Sequence, residues 1–330
     1  MDVEKKEARI GSSDASAPKS DRRAVEGSRS DAPSRSGCCA SGGLAIRYVE
    51  WGRADAPPLL LIHGGYDHAR SWDRIASALS GRYRVIVPDA RGHGNSDWSA
   101  EGHYGLLDHV EDQVRLLDHL RLNAVILVGH SYGGRVCLRH AGIYPERIER
   151  LVVLEGLGPR REDRAQWRAT PVGRRIRDHH ERQRALSAKP PRGFASLDAC
   201  AARYTERNRH LNPDLAWHLA FHGTRIGADG LLYWKFDPRI GLIHPLDVTH
   251  EDELQLFSAT TPPTLLIHGD NSTSARPEGD PRVEAMPDCR TVRVPGAGHW
   301  IHHDRPEAIL LAIDAFLPKP PNRAAAYSLK

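Results

Sequence analysis

The residue of this chain best placed for covalent chemistry is a serine set between glycines, in Gly129-His130-Ser131-Tyr132-Gly133-Gly134. A serine hydroxyl is a weak nucleophile alone and needs an adjacent base. Before it runs Ala124-Val125-Ile126-Leu127-Val128, an apolar, β-branched stretch suited to a strand buried on both faces. After it, Arg135 to Tyr144 carries Val136, Leu138 and Ala141 among its apolar positions and reads as a helix. Strand, Gly-x-Ser-x-Gly and helix, in that order, form the setting of a nucleophile elbow. In so tight a turn Gly129 and Gly133 must lack side chains, which lets strand and helix approach while Ser131 stands exposed. The pentapeptide alone also fits an ordinary glycine turn with a serine helix cap. The surrounding elements have to decide.

Those elements repeat one pattern. Ile46 to Trp51 alternates and reads as a strand exposed on one face. Leu59-Leu60-Leu61-Ile62 is a continuous apolar strand running into His63-Gly64-Gly65-Tyr66. A helix from Trp72 to Leu79 is expected behind Ser71 as its cap. Arg84-Val85-Ile86-Val87 is the next strand and ends in Pro88-Asp89-Ala90-Arg91-Gly92-His93-Gly94-Asn95-Ser96. Leu106, Val110, Val114 and Leu117 recur at helical spacing. Leu151 to Leu154 is stopped by Glu155-Gly156, and Thr264 to Ile267 runs into His268-Gly269-Asp270-Asn271-Ser272. Thr291 to Val294 precedes Pro295-Gly296-Ala297-Gly298-His299-Trp300. A last helix opens on Asp304-Arg305-Pro306-Glu307, a capping-box-like start, and runs to Phe316. Buried strands alternating with helices predict an α/β fold with a doubly wound, mostly parallel sheet.

Between 158 and 258 the alternation stops. Arg160 to Arg184 holds nine arginines with little apolar periodicity and reads as a solvated helical face rather than an anion site. Helical patterns follow at Leu197 to Asn208, behind Ser196, and from Asn212-Pro213-Asp214 to Gly223. Trp167, Trp217, Phe221, Tyr233, Trp234 and Phe236 all lie here, so the segment is expected to be a helical lid with an aromatic inner surface.

Composition bounds the rest. The 330 residues suffice for one large domain with an insertion, and a net charge of +4 spread along the chain gives no ground for a nucleic-acid partner. No apolar run approaches the ~20 residues of a membrane span. No apolar stretch of secretory type opens the chain, so a cytoplasmic location is expected. Five cysteines, an odd number, give no disulfide framework or zinc spacing. Residues 1–41 are rich in Ser, Ala, Asp, Arg and Lys and are expected to be disordered, with order beginning near Leu44. The end of the chain, 319–330, is expected to be loose.

Taken together, His63-Gly64-Gly65, Asp89-x-Arg91-Gly92-x-Gly94-x-Ser96, the Ser131 turn and Gly298-His299 make the chain from Leu44 to Leu317 resemble an α/β-hydrolase-fold enzyme. The resemblance implies core segments at 42–157 and 259–318, with a helical cap at 158–258 inserted after strand six. It implies Ser131 as nucleophile and His299 as base. Many members place the triad aspartate three residues after the glycine ending the strand at Thr264–Ile267; here that offset from Gly269 falls on Ser272. Glu155 is therefore the favoured acid, since some members carry theirs at this other strand end, and Asp270 is the alternative. The implied oxyanion donors are the backbone amides of Tyr132 and of Gly65 or Tyr66. His63 is expected to brace its loop, His130 to pack under the turn, and Asp89 to Ser96 to form a structural turn.

A serine at this position excludes the aspartate chemistry of the epoxide hydrolases and haloalkane dehalogenases of the fold. The expected activity is a serine esterase acting on a small molecule with a largely apolar acyl group, lodged against Trp217, Phe221, Trp234 and Trp300. Carbon–carbon bond hydrolysis, acyl transfer, cofactor-free peroxidation and a non-enzymatic ligand receptor are the alternatives on the same triad. No cofactor or metal is expected. His302 and His303 are read as solvent-facing or supporting residues without a ligand cluster around them. The oligomeric state is not legible.

Overall fold

The computed structural model describes residues 32–242 and 244–318. The expected disorder over 1–31 and the expected loose end at 319–330 concern residues outside the described ones. Eight strands form one sheet in the order β1-β2-β4-β3-β5-β6-β9-β10. They are β1 (Arg35–Ser41), β2 (Leu44–Trp51), β3 (Pro58–Ile62), β4 (Arg84–Pro88), β5 (Val125–His130), β6 (Ile148–Leu154), β9 (Thr264–Gly269) and β10 (Cys289–Val294). β1 pairs antiparallel with β2, and β2 antiparallel with β4; every other neighbouring pair is parallel.

The expectation of disorder up to residue 41 is corrected by β1. Its residues pair one for one with β2, from Arg35 opposite Glu50 to Ser41 opposite Leu44. Only Cys39 and Ser41 of this strand are buried, so its composition carries almost no hydrophobic signal. Main-chain pairing holds it in place, and Gly37 leaves the space that the Tyr48 ring occupies.

The central strands are apolar at nearly every position because both faces are covered. Leu59, Leu61, Val85, Val87, Ile126, Val128, Val152, Leu154, Leu265 and Ile267 point to one face. There they meet Ile75 and Leu79 of α1 (Asp73–Leu79) and Ile309 and Ile313 of α11 (Pro306–Phe316). Leu60, Ile62, Ile86, Leu127, Leu151, Val153 and Leu266 point to the other. They pack on α2 (Leu106–His119), α3 (Tyr132–Ile143) and, through Phe257, α8 (His250–Ser258). The chain leaves β3 in one direction for β4 and returns to β5 on its other side. Such a reversal opens a crevice at the carboxyl ends of the two strands. Two caps differ from expectation. The Ser71 side chain does not cap α1, and no side chain caps α11, where Asp304 instead accepts a bond from Gly298 N.

Between β6 and β9 lie α4 (Arg161–Ala169), α5 (Val172–Ala188), α6 (Leu197–Arg207) and α7 (Pro213–Gly223), then the hairpin of β7 (Thr224–Ile226) and β8 (Leu232–Trp234), and α8. The hairpin was not foreseen from the sequence. No residue of α4 or α5 is buried, as their arginine-rich pattern implies. Ser196 and Asn212 cap α6 and α7 as expected. Phe194, Cys200, Tyr204, Leu211, Ala216 and Leu219 make a separate small core, and Trp300 from the loop after β10 packs against it. Asp237, fully buried, ties the segment to the sheet: its amide donates to Gly92 O at 2.8 Å and its carboxylate accepts from Tyr104 Oη at 2.7 Å. Two short helices, α9 (Pro281–Glu284) and α10 (Ile301–Asp304), flank β10. Among the described residues no helix is long and apolar enough to cross a membrane.

Candidate active site

Ser131 sits between β5 and α3 with φ 52° and ψ −117°, a backbone region that L residues seldom enter. The strain is held by close packing. A Cβ on Gly129 would lie 2.6 Å from Cys137 Sγ and 2.7 Å from Gly133 O, so helix and strand meet there only because glycine stands at 129. The Ser131 amide donates to Leu154 O at 2.8 Å, which fastens the turn to β6.

His299 Nε2 lies 2.7 Å from Ser131 Oγ. The other nitrogen, Nδ1, has two oxygen neighbours: Ser274 Oγ at 2.9 Å and Glu155 Oε2 at 3.5 Å. Glu155 follows β6 directly and its own φ is 57°, so its side chain turns from the strand end toward the last loops. The carboxylate is wholly enclosed. Gly269 N donates to Oε1 at 2.6 Å, Ser272 Oγ donates to Oε2, and His268 Nδ1 lies 3.2 Å from Oε1. Burial alone would raise the acid, but hydrogen bonds from His268, His299, Ser272 and Gly269 outweigh it and hold the carboxyl at about 2. Ser272, at the offset where the acid was missing from the sequence, thus binds the carboxylate that arrives from the neighbouring strand.

Asp270 is turned elsewhere. It pairs with Arg293 of β10 near the surface, and no hydrogen bond joins it to His299. The backbone amides proposed as anion donors differ as well. Tyr66 N already donates to His93 Nε2 at 3.2 Å, so it is engaged. Gly65 stands against Tyr132 across the crevice, where a Cβ at 65 would meet Tyr132 Cβ at 3.7 Å.

The bracing residues take up the anticipated positions. His63 Nδ1 lies 2.7 Å from Gly64 O, and its Nε2 accepts from Ala90 N at 3.0 Å. Asp89 accepts from Ala69 N and Asn95 N, while Ser96 Oγ donates to Asp89 O, closing the Asp89 to Ser96 turn. His130 Nε2 lies 2.8 Å from His299 O and so steadies the loop that carries this imidazole.

A cavity of about 980 Å³ opens over Ser131 and His299. Trp300, Tyr204, Leu219 and Ile240 supply apolar wall, but Arg135, Arg160, Arg207 and Arg209 also line it. The expectation of a largely apolar, aromatic pocket is therefore corrected. Trp217 and Phe221 stack on each other, ring centroids 5.5 Å apart, with Phe221 exposed and neither residue reaching the cavity. Trp234 is packed into the small core against Phe194, Tyr204 and Phe236. Of the four aromatic residues expected at the pocket, Trp300 alone lines it. The arginines and Ser274 were missed; the nine-arginine count treated Arg160 as solvated, and nothing local marks Ser274.

The reading of His302 and His303 also changes, because the fold brings Asp67 beside them. One donor atom from each of the three lies within 4.8 Å of the others.

Residues 57–306 match the family described as alpha/beta hydrolase fold. The chain belongs to the α/β-hydrolase-fold family. Among relatives, it is 27% identical over 283 residues to the sn-1-specific diacylglycerol lipase ABHD11 of Mus musculus, covering 81% of this chain and 82% of that one. It is 26% identical over 262 residues to the esterase YbfF of Escherichia coli strain K12, covering 79% and 92%. Among solved structures, a thioesterase domain from the curacin biosynthetic pathway shares the fold with a TM-score of 0.74 at 24% identity, covering 84% of this chain and 98% of that one.

Proposed function

We propose that this hydrolase cleaves a carboxylic ester or related acyl bond through an acyl-enzyme on Ser131. The 2.7 Å approach of His299 Nε2 to Ser131 Oγ carries the reading. In the proposed reaction Oγ attacks the substrate carbonyl carbon while Nε2 takes its proton. The carbonyl π electrons move onto oxygen, and the amides of Tyr132 and Gly65 face the charge that forms. Collapse expels the alcohol, which takes the proton from His299. Water then repeats the sequence: His299 removes its proton, the hydroxide attacks the acyl carbon, and Ser131 leaves reprotonated as the acid is released. Glu155 keeps the imidazole in the tautomer with hydrogen on Nδ1 and stabilises the imidazolium of each step. Ser274 shares that hydrogen and acts as a second anchor.

The names of the relatives, an esterase and a diacylglycerol lipase, support ester cleavage over the other reactions this triad could run. The cavity wall carries both signs, Arg135, Arg160, Arg207 and Arg209 with Asp163, Glu206 and Asp304, and so favours a substrate with a polar group beside its acyl carbon. Arg135 stands one turn along α3 from Ser131. A fluorophosphonate probe is expected to label wild-type protein and not Ser131→Ala. The same preparation is expected to turn over esters with a polar acyl substituent faster than plain alkyl esters of equal length. Absence of labelling in folded wild-type protein overturns the nucleophile, and a preference for plain alkyl esters overturns the substrate class.

A further inference from the structure

Among the described residues two groups of side chains could hold a metal ion, and they differ in what surrounds them. The first is Asp73 with His218 and His222, the two histidines one turn apart on α7. Its carboxylate is already neutralised. Arg70 Nη2 sits 2.6 Å from Asp73 Oδ2, and Arg70 Nη1 is 3.5 Å from His222 Nδ1. A guanidinium in the coordination sphere repels a cation, and His218 Nε2 is committed to Arg70 O at 3.1 Å.

The second cluster is Asp67, His302 and His303. Here the balance is reversed. Asp67 accepts from His68 N at 2.9 Å and has Ser71 as a second hydrogen-bonding neighbour, but among the described residues no lysine or arginine pairs with it. His302 is 2% exposed, and neither of its ring nitrogens has a hydrogen-bond partner among the described residues. A buried imidazole that leaves both nitrogens unused forgoes roughly 1–3 kcal/mol per group. Its ring is fixed between Trp72, stacked at 4.7 Å, and His303, at 3.9 Å. Asp67 and His303 both line the cavity over Ser131.

From these contacts we infer that Asp67, His302 and His303 form a site for a divalent transition metal of the zinc class in the wall of the active-site cavity. Two imidazoles and a carboxylate are a donor set that zinc accepts, at ~2.0–2.2 Å from each donor atom. With the His302 ring held, small rotations of Asp67 and His303 bring donor atoms already within 4.8 Å of one another to that distance. The ion satisfies one nitrogen of His302 and compensates the charge of Asp67. A fourth position faces the cavity, where water or a substrate oxygen completes a tetrahedron.

The experiment uses the untagged full chain, stripped with a chelator and dialysed against zinc chloride, with cobalt chloride as the spectroscopic probe. Elemental analysis is expected to find one equivalent of zinc held tightly, and bound cobalt is expected to show the intense visible bands of tetrahedral coordination. Asp67→Asn and His303→Ala point into the cavity, so neither empties the core. Each is expected to weaken zinc by more than about 100-fold, beyond what loss of an outer-shell partner costs. The double variant His218→Ala/His222→Ala is expected to bind as the wild type does. No tight equivalent in the wild type overturns the site. So does binding that survives both Asp67→Asn and His303→Ala, or binding that is lost in the α7 double variant.

Discussion

In the sheet, β5 and β9 bury every side chain, and β3 and β6 bury all but a few; α4 and α5 of the inserted segment bury none. The two regions therefore hold shape by different means. The sheet is packed from both faces at interior density, where each methylene counts. The arginine-rich helices are tied on by single polar anchors, such as Arg168 Nη2 to Val248 O and Gln183 Nε2 to Glu101 O. One cluster bridges the two kinds. Glu253 on α8 accepts from Arg139 of α3 at 2.9 Å and from Arg164 of α4 at 2.8 Å, with Arg282 of α9 at 3.6 Å. Rigidity and the Ser131–His299 pair thus lie on the sheet side, while the inserted side supplies part of the cavity wall.

This contrast can be broken most directly at the site. Glu155→Gln is expected to lower the rate on an activated ester by ~10⁴-fold, the cost of a lost triad acid in the best-studied serine protease. Asp270→Asn, at the surface ion pair with Arg293, is expected to leave the rate within about threefold; at 25 °C surface pairs are worth ~0–1 kcal/mol. A large loss in the second variant alone would transfer the acid to Asp270.

A smaller effect tests the bridge between the regions. Glu253→Ala leaves Arg139, at 3% side-chain exposure, without its nearest carboxylate, while Arg282 keeps Asp280 at 2.6 Å. Loss of one partner from such a pair costs ~3–5 kcal/mol, to be read by denaturant unfolding. Arg177→Ala, on the exposed face of α5, is expected to change stability by less than about 0.5 kcal/mol. Equal effects would show that the inserted helices are as tightly integrated as the sheet.

Acid gives the mildest test. Burial lowers His63 and His140 to about 4, and His93 and His130 to about 3, and all four belong to the sheet side. In the unfolded chain these imidazoles take protons near the ordinary value of 6.5. Between pH 6.5 and 4 the unfolded state thus binds more protons, so stability rises with pH there and is lost as pH falls. Glu155, depressed to about 2, adds its own loss only below its ordinary value of 4.5. The melting temperature is expected to fall by at least about 5 °C from pH 7 to pH 5, or roughly 2 kcal/mol. A melting temperature that stays level over this range would contradict the neutral burial of these rings.

The sheet was legible because its strands are apolar at nearly every position and end in glycine-rich turns. Ser131 and His299 were legible for the same reason: each sits where a strong strand signal stops. β1 was not, because main-chain pairing to β2 and the small residues of Gly37 to Ser41 leave no hydrophobic pattern. The aromatic lining failed for a different reason. Counting Trp217, Phe221 and Trp234 gives no direction, and on α7 it is Leu219 that reaches the cavity while Trp217 and Phe221 stack away from it. Glu155 was found by elimination at Ser272, but the hydroxyl of Ser272 on its carboxylate is a tertiary contact that no spacing announces.

The two groups that meet at 2.7 Å stand 168 positions apart, with the whole inserted segment between them. His299 follows β10, the edge strand and the last to be synthesised. A ribosome making ~5–20 residues per second has therefore finished most of the sheet many seconds before His299 can reach Ser131. Until β10 docks on β9 the hydroxyl has no imidazole beside it. On the proposed mechanism the chain is therefore silent during its own synthesis, and its first turnover marks completion of the last strand.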